Sequence, residues 1–229
     1  MAVTEKKPIM ETQDDEFSDN QDFASAKNVS LTRKKHQQIV QGACGVFFKK
    51  GYHPTSIREI GQACGMSMGQ LYHYISCKDD VLFLVHKHMQ QVWYEYLKKS
   101  DLEQIEDPVK KLKQALYHSL QFMVENRKLI QFVYSESKYL DKKYLKIVLE
   151  MDNKNVLGFW RSLLEDLSAV TTIKGDIDIV SSIVVYLQAF LALRGWTLKG
   201  KERKDQEDCL INFILRGLGV ISNAEETNN

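Results

Sequence analysis

The sequence has 229 residues, of which 44% are hydrophobic, so it can bury one large or two small cores. The formal net charge of +1 by itself indicates no particular partner. The longest apolar run, from Ile179 to Leu193, is interrupted by Ser181, Ser182 and Gln188 and is too short to cross a bilayer. We therefore expect a soluble protein, with no membrane partner, in which this run forms a buried helix.

The residue types and spacings that usually carry chemistry are missing from the sequence. The four cysteines form no CxxC pair, and with no signal peptide we expect reduced thiols in a cytoplasmic protein. The signatures HExxH, GxSxG, P-loop and Gly-rich dinucleotide fingerprint do not occur, nor does a Glu-x-x-His pair for a di-iron bundle. These observations predict no enzyme, no cofactor and no metal site.

The charges are unevenly distributed along the chain. Residues 1–29 are polar and acidic without sustained periodicity, so we predict a disordered tail there. Residues 31–82 carry seven basic and three acidic side chains, a net charge of +4, which fits DNA binding by one part of the protein. Thr32 can cap a first helix that Gly51 closes. Arg33 to Lys35, near its start, either reach phosphates or form a solvated helix end.

Residues 55–78 read TSIREIGQACGMSMGQLYHYISCK and predict two short helices joined by a tight turn. Ser56 with Glu59, and Ser67 with Gln70, have the capping-box spacing that starts a helix. Gly65 suits the left-handed position that ends the first of them. Helix, four-residue turn and helix form the helix-turn-helix pattern, braced by the preceding helix. The apolar contacts of the pair fall at helical spacing: Ile57, Ile60, Cys64, Leu71 and Ile75.

The exposed positions of the second helix include no acid. Gly69 lets the backbone approach a surface closely, and Gln70 can pair two hydrogen bonds with adenine. Tyr72 and Tyr74 suit the sugar-phosphate backbone, and Lys78 supplies a charge for a phosphate. The alternative is a surface helix whose tyrosines close a small core.

The run CGMSMGQLYHYISCKDDVL resembles the end of the DNA-binding domain of TetR-family transcriptional regulators. The resemblance extends back to Thr32 and covers about residues 31–82. Ile75 and Cys77 depart from the usual Phe and from the usual Ser or Asn, both conservatively. The resemblance implies that Tyr72, Tyr74 and Lys78 hold the DNA backbone, while Met68, Gln70 and Arg58 face the bases. The full set of expected DNA contacts is Thr32, Arg33, Thr55, Ser56, Arg58, Ser67, Met68, Gly69, Gln70, Tyr72, His73, Tyr74 and Lys78.

The rest of the chain predicts helices only, because no strand-like alternation bounded by turns occurs. The predicted helices run over residues 78–100, 107–126, 128–134, 139–167, 175–196 and 205–220. We expect an all-α protein: a disordered acidic tail (1–29), a three-helix helix-turn-helix DNA-binding domain (30–77), a helical ligand-binding and dimerisation domain (78–222) and a disordered C-terminal tail (223–229). The helix from Lys78 to Ser100 would act as a lever between the two domains.

TetR-like proteins usually hold a ligand cavity in this second domain, which implies that some of its aromatic residues line it although most are core. Trp93, Phe122, Phe159 and Tyr186 are the aromatic candidates. The polar candidates, which need partners if they are buried, are Asn155, Gln188 and Arg194. Arg194 could instead form a salt bridge with an acid of the body or of a partner subunit.

The function that the resemblance implies is a ligand-responsive regulator, most often a repressor that a small molecule releases from a palindromic operator. Its partners would be double-stranded DNA, an effector of unknown identity and a second copy of the chain. The segments Ile179 to Leu193 and Cys209 to Leu218 are apolar nearly all round, so they would form the dimer interface. Two alternatives are a helical enzyme or carrier that uses the body cavity for a hydrophobic substrate, and a structural DNA-binding protein without a ligand.

Overall fold

The computed structural model describes residues 26–220, which fold into ten α-helices with no strand in that range. The all-α prediction is confirmed. The helices are α1 Ala26–Lys50, α2 Ile57–Ala63, α3 Met68–Tyr72, α4 Lys78–Lys98, α5 Pro108–Glu125, α6 Arg127–Glu136, α7 Lys142–Asp152, α8 Gly158–Ser168, α9 Ile177–Arg194 and α10 Arg203–Gly217. A π-helical segment, Asn153–Leu157, joins α7 to α8, so residues 142–168 form one nearly continuous helix, close to the predicted 139–167.

Local capping determines where several of these helices begin. The Oγ of Ser56 accepts from Glu59 N at 3.2 Å while a Glu59 carboxylate oxygen accepts from Ser56 N at 2.9 Å, which is the predicted capping box of α2. The same reciprocal pair joins Ser67 and Gln70 at the start of α3, with distances of 3.2 and 3.0 Å. Asp107 caps α5 by accepting from two backbone amides. These starts confirm the corresponding predictions.

The start of α1 differs from the prediction. The helix begins at Ala26, inside the predicted tail, so Thr32 lies within the helix and does not cap it. No glycine or proline separates Ala26 from Thr32, and Ala and Lys are favourable helix formers, so nothing local ends the helix earlier. The rest of the tail predicted over 1–29, and the tail predicted over 223–229, lie outside the described residues.

The core is divided into two hydrophobic clusters along the molecule. The N-terminal cluster joins α1, α2 and α3 to the first half of α4 through Val81, Leu82 and Val85. The body cluster holds the second half of α4, including Trp93 and Leu97, together with α5, α8, α9 and α10. Residues of α6 also enter the N-terminal cluster, namely Leu129, Phe132 and Val133. The predicted domain boundary between residues 77 and 78 is therefore not a boundary between independent cores.

The first helix braces the helix-turn-helix, as predicted, through close backbone contact. A Cβ added at Gly42 would lie 2.6 Å from the Sγ of Cys64 and 2.8 Å from its backbone N, so only glycine lets α1 approach the end of α2. The side chain of Gln38 donates to Cys64 O at 2.7 Å. His36 Nε2 lies 3.3 Å from Tyr74 O, beyond α3. These contacts hold α2 and α3 in a fixed orientation on α1.

The apolar helix α9 packs against α5, α6 and α8 on one side only. Ser181, Val184 and Gln188 are buried, whereas Ile179 and Ile183 are exposed, so the prediction of a buried helix is wrong for one face. Within residues 26–220, the segment Ile177–Leu198 is long and apolar enough to cross a membrane by length and composition alone. Packing against three other helices explains the apolar residues on the inner face of this segment. The apolar residues on its exposed face have no such explanation within the protomer.

Candidate functional site

Several of the residues predicted to contact DNA lie on the exposed surface of α3 and directly after it. Gly69, Gln70, Tyr72 and His73 are exposed, and Arg58 on α2 is exposed as well. The apolar side of the helix is buried through Leu71 and, just beyond α3, Ile75. Both N-caps, Ser56 and Ser67, lie exposed at the starts of α2 and α3, and Thr32 and Arg33 are exposed on α1. The surface therefore offers amide, phenol, imidazole and guanidinium groups and no carboxylate from α3.

Two residues of the predicted set point inward. Thr55 is only 1% exposed, and its hydroxyl donates to Gly51 O at 2.8 Å, so this side chain closes the loop before α2 and does not meet a ligand. Tyr74 is half-buried against the N-terminal cluster, with its ring in edge contact with His36 and His73. Met68 is half-buried too. The tyrosines thus divide: Tyr72 remains available at the surface, and Tyr74 mainly supports the core.

Lys78 has a structural role that the sequence did not reveal. Its ammonium donates to the carbonyl oxygens of Tyr52, His53 and Thr55 at 3.1, 3.2 and 3.0 Å, and it lies 4.3 Å from the centre of the Tyr52 ring. A lysine has three N–H donors, and these carbonyls use all three. The predicted phosphate contact would require Lys78 to release the loop, so we reassign it to holding α4 on that loop.

Gln70 is also partly engaged within the protein. Its Oε1 accepts from Ser67 N at 3.0 Å, as the capping box requires. A bidentate contact with adenine uses both the oxygen and the nitrogen of the amide. Gln70 can therefore offer its Nε2 donor to a base edge directly, whereas a bidentate contact requires Oε1 to accept a second hydrogen bond.

A cavity of about 280 Å³ lies in the second domain, beside the second half of α4. Its walls come from α4, α5, α6, α7, α8 and α9 and are mostly apolar. Four residues of α4 face it at helical spacing: His86, Met89, Gln90 and Trp93. The other lining residues are Phe122, Met123, Ile130, Val133, Tyr134, Ser137, Leu145, Val148, Leu149, Asp152, Val156, Trp160, Val185 and Gln188.

The predicted ligand-binding residues divide between this cavity and other places. Trp93 and Phe122 line it, in edge contact with ring centres 5.0 Å apart, and so does Gln188. Phe159 lies behind Trp93 in the body cluster and does not line the cavity. Asn155 lies beside the amide of Gln90, with 3.1 Å between Nδ2 and Oε1, and is not part of the wall either.

Two of the predicted ligand-binding residues, Tyr186 and Arg194, lie on the surface, outside the cavity. Tyr186 is 65% exposed on the outer face of α9. Arg194 is exposed, and its guanidinium lies 5.3 Å from the centre of the Trp196 ring. Neither the ligand contact nor the salt bridge expected for Arg194 is present among the described residues. A helix that is apolar on both sides gives no sequence signal for which side faces inward, and this explains both errors.

Most of the polar lining was not predicted from the sequence, above all His86, Gln90 and Asp152. Burial lowers the pKa of His86 to about 4, so its ring is neutral near pH 7. Burial also raises the pKa of the Asp152 carboxyl. His86 and Gln90 are four residues apart, on the same face of α4 as Met89 and Trp93. This spacing was the sequence signal that could have identified them as lining residues.

Three helices connect the cavity wall to the α3 surface. Helix α4 lines the cavity and is tied at its first residue to the loop before α2. On α7, Tyr144 donates to the carboxylate of Asp80 and stacks on Phe83 with ring centres 4.6 Å apart. Burial opposes the charge of Asp80, but hydrogen bonds from Tyr144 and two backbone amides outweigh it and keep the pKa of this carboxyl below its usual range.

On α6, Phe132 stacks on Phe47 of α1 at 5.1 Å between ring centres, with an angle of 11° between the rings. The neighbouring Val133 belongs to the N-terminal cluster and also lines the cavity. Packed or hydrogen-bonded side chains on each of the three helices therefore lead from the cavity wall to the N-terminal cluster, on which α3 packs.

Comparisons with known proteins agree with this arrangement. Residues 39–85, which include α2, α3 and the start of α4, match the family model described as bacterial regulatory proteins, tetR family. The HTH-type transcriptional regulator HbdR of Aromatoleum sp. (strain CIB) is 29% identical over 103 residues, which cover 42% of this chain and 44% of HbdR. The chain thus matches less than half of the length of this relative.

Solved structures extend the likeness in fold to nearly the whole body. A regulatory protein in the tetR family from Rhodococcus RHA1 gives a TM-score of 0.70 at 18% identity, covering 82% of this chain and 99% of that one. AibR, solved in complex with isovaleryl coenzyme A and operator DNA, gives 0.64 at 18% identity, covering 80% and 98%. The helix-turn-helix sequence and the architecture agree: residues 39–85 match the tetR family of bacterial regulatory proteins in sequence, and the chain has the fold of the solved tetR-family structure.

Proposed function

We propose that this protein is a cytoplasmic, homodimeric transcriptional regulator, acting as a repressor, that binds a palindromic operator and releases it when a small molecule enters the body cavity. One observation carries the proposal. Helix α4 is fixed at its N-terminal end to the helix-turn-helix by Lys78, and four of its later residues form a wall of the cavity. One helix, α4, thus contacts both the helix-turn-helix domain and the body cavity.

The DNA contact is proposed for the exposed side of α2 and α3. Gly69 has open space around it: a Cβ there would meet no protein atom within 4 Å. The fold itself does not require glycine at this position, and without a side chain there the backbone of α3 can approach an outside surface closely. Tyr72 and Arg58 flank this point and offer donors to phosphates, while Gln70 offers its amide to a base edge.

The dimer is proposed for the outer faces of α9 and α10. A two-fold axis through these helices would bury their exposed apolar side chains and hold the two α3 helices at a fixed separation. To read successive grooves on one side of DNA, the two recognition helices must lie about 34–36 Å apart. A ligand that tilts α4 changes this separation, and a preference of about 1.4 kcal/mol for the spread state suffices for a tenfold loss of operator affinity.

The comparisons support a regulator and give no support to a helical enzyme or carrier. HbdR is named a transcriptional regulator, and AibR was solved with both a coenzyme A thioester and operator DNA. A structural DNA-binding protein without a ligand would not need the lined cavity in the body.

DNA binding is tested by gel shift on the region upstream of the protein's own gene, with Gly69→Ala and the control Gly45→Ala. Both glycines are exposed on helices of the N-terminal domain, and a Cβ at either meets nothing within 4 Å. Alanine should raise the free energy of unfolding by up to about 1 kcal/mol in both variants. Only Gly69→Ala should weaken DNA binding. Equal DNA affinity for the two variants would remove α3 from the interface, and no shifted band with the wild type on genomic fragments would refute the regulator.

A further inference from the structure

The cavity wall carries no group that could neutralise an anion. Of the 18 lining residues none is a lysine or arginine, and the one carboxyl group, on Asp152, has its pKa raised by burial. Carboxylates and phosphates in protein sites are usually held by cationic side chains, because an unpaired charge is costly to bury. His86 does not supply that charge either, because burial keeps its ring neutral near pH 7.

Two buried polar atoms on the α4 face of this cavity lack a hydrogen-bond partner among the described residues. They are Trp93 Nε1 and His86 Nε2, on side chains that are each only 2% exposed. The indole N–H can only donate, so what it lacks is an acceptor. The neutral imidazole offers a donor at one nitrogen and an acceptor at the other. Buried donors in folded proteins are nearly always paired, and both residues line the cavity, so an occupant of the cavity is a candidate for the missing partner.

Two further polar side chains of the wall, Gln188 and Gln90, are engaged within the protein. Gln188 accepts from the Ser119 hydroxyl and donates to Val184 O at 3.0 Å, which fixes its amide within the protein. Gln90 lies against Asn155. The volume of about 280 Å³ is at the small end of the roughly 300–1,000 Å³ usual for ligand pockets, so the occupant is compact.

We propose that the effector is a compact, uncharged and largely apolar molecule with one carbonyl-type acceptor, which accepts a hydrogen bond from Trp93 Nε1 while its apolar part packs on Phe122, Met123 and Trp160. Free carboxylates and coenzyme A thioesters, whose phosphates need cations, are excluded as occupants of this cavity. This inference rests on the proposed function in taking the body cavity as the effector site.

The test measures binding of four small probes of one skeleton to the full-length protein by titration calorimetry at about pH 7.5. The probes are 4-phenylbutan-2-one, butylbenzene, 4-phenylbutanoate and 4-phenylbutylammonium, which offer an acceptor, no polar group, an anion and a cation. The ketone should bind with one site per chain, about tenfold more tightly than the hydrocarbon, as one added hydrogen bond allows. Both charged probes should bind at least tenfold more weakly than the ketone.

The variant Trp93→Phe should abolish the preference for the ketone over butylbenzene, because phenylalanine keeps the ring but has no donor. Trp196→Phe is the matched control, since Trp196 is 62% exposed and outside the cavity, and it should keep the full preference. Tightest binding of the carboxylate, no preference for the ketone in the wild type, or no binding of any probe at millimolar concentration would each overturn the inference. These wild-type results decide even if Trp93→Phe does not fold.

The failure of this inference is distinguishable from the failure of the proposed function. A protein that shifts operator DNA but binds the carboxylate best would contradict only the effector class. A protein that binds the ketone as expected but shifts no DNA would contradict only the regulator.

Discussion

At the scale of single residues, Lys78 illustrates how a basic side chain beside a DNA-binding helix can serve the fold. Its three carbonyl partners lie in the loop between α1 and α2, and from the same loop the Tyr52 hydroxyl donates to the carboxylate of Asp79 in the first turn of α4. Lys78→Ala should lower the free energy of unfolding by about 1–3 kcal/mol, because three backbone acceptors lose a charged donor. Urea denaturation measures this loss.

The same variant separates the structural from the phosphate-binding role. The salt dependence of DNA affinity should be unchanged in folded Lys78→Ala, whereas Arg58→Ala should reduce the slope by about one unit. If Lys78→Ala reduced the salt dependence of DNA affinity without lowering the free energy of unfolding, Lys78 would contact a phosphate as the sequence predicted.

His86 gives a second prediction at the residue scale, in the pH dependence of stability. Its pKa is about 4 in the folded protein against an ordinary value of 6.5, so between these values the unfolded chain binds more protons. As far as His86 is concerned, the free energy of unfolding is therefore highest above about pH 6.5 and decreases as the pH falls towards 4. Between pH 7.5 and pH 5 the wild type should lose about 2 kcal/mol more than His86→Gln. The other histidines are common to both proteins, so an equal loss would contradict the burial of a neutral His86.

At the scale of elements, α6 belongs to both halves of the molecule. Its Phe132 stacks on Phe47 of α1 and meets Phe48 edge-on, although α6 follows the predicted domain boundary by 50 residues of chain. Phe132→Ala should cost about 3–5 kcal/mol and leave a cavity inside the N-terminal cluster. Hydrogen exchange should therefore accelerate in α1, α2 and α3, and not only in α6.

The control for this prediction is Phe159→Ala, which removes an equally buried ring from the body cluster. It should accelerate exchange in α5 and α8 first. Phe132→Leu, a milder change, should give the same pattern as Phe132→Ala with a smaller amplitude. If Phe132→Ala accelerated hydrogen exchange only within α6, this result would contradict a connection between the cavity wall and the helix-turn-helix through α6.

At the scale of the whole molecule, the exposed apolar side chains of α9 and α10 predict the assembly. Ile179, Ile183 and Tyr186 on α9, and Phe213 on α10, are 63, 52, 65 and 64% exposed. A patch of this kind is typical of a protein interface. Ile183→Asp and Phe213→Asp should therefore give folded monomers in sedimentation velocity, with operator affinity strongly reduced.

Val170→Asp is the control, because Val170 is 60% exposed between α8 and α9 and lies off both helices. It should remain a dimer. Val184 lies within the segment predicted to form the interface but is only 2% exposed in the protomer, so an acid there should unfold the chain. A wild-type protein that sediments as a monomer at micromolar concentration would rule out the interface.

The sequence by itself determined several helix starts, the helix-turn-helix and the all-α architecture. Capping boxes at Ser56 and Ser67, and the cap at Asp107, act over three residues, so their geometry depends almost entirely on local sequence. The exposed face of α3 could be inferred in the same way, because Leu71 and Ile75 mark its buried side. Trp93, Phe122 and Gln188 line the cavity, whereas Phe159 and Tyr186, which the same reasoning selected, do not.

Only the tertiary structure decided which groups meet across helices. Lys78 binds carbonyls of residues 23 to 26 positions earlier, and no local spacing distinguishes such a contact from a free phosphate ligand. Thr55 is buried by the same loop. Helix α9 is apolar on both sides, so its periodicity does not show that Gln188 faces the cavity and Tyr186 faces outward. The orientation follows from its contacts with α5, α6 and α8, because a helix face is buried by what packs on it, and that is a property of the whole fold.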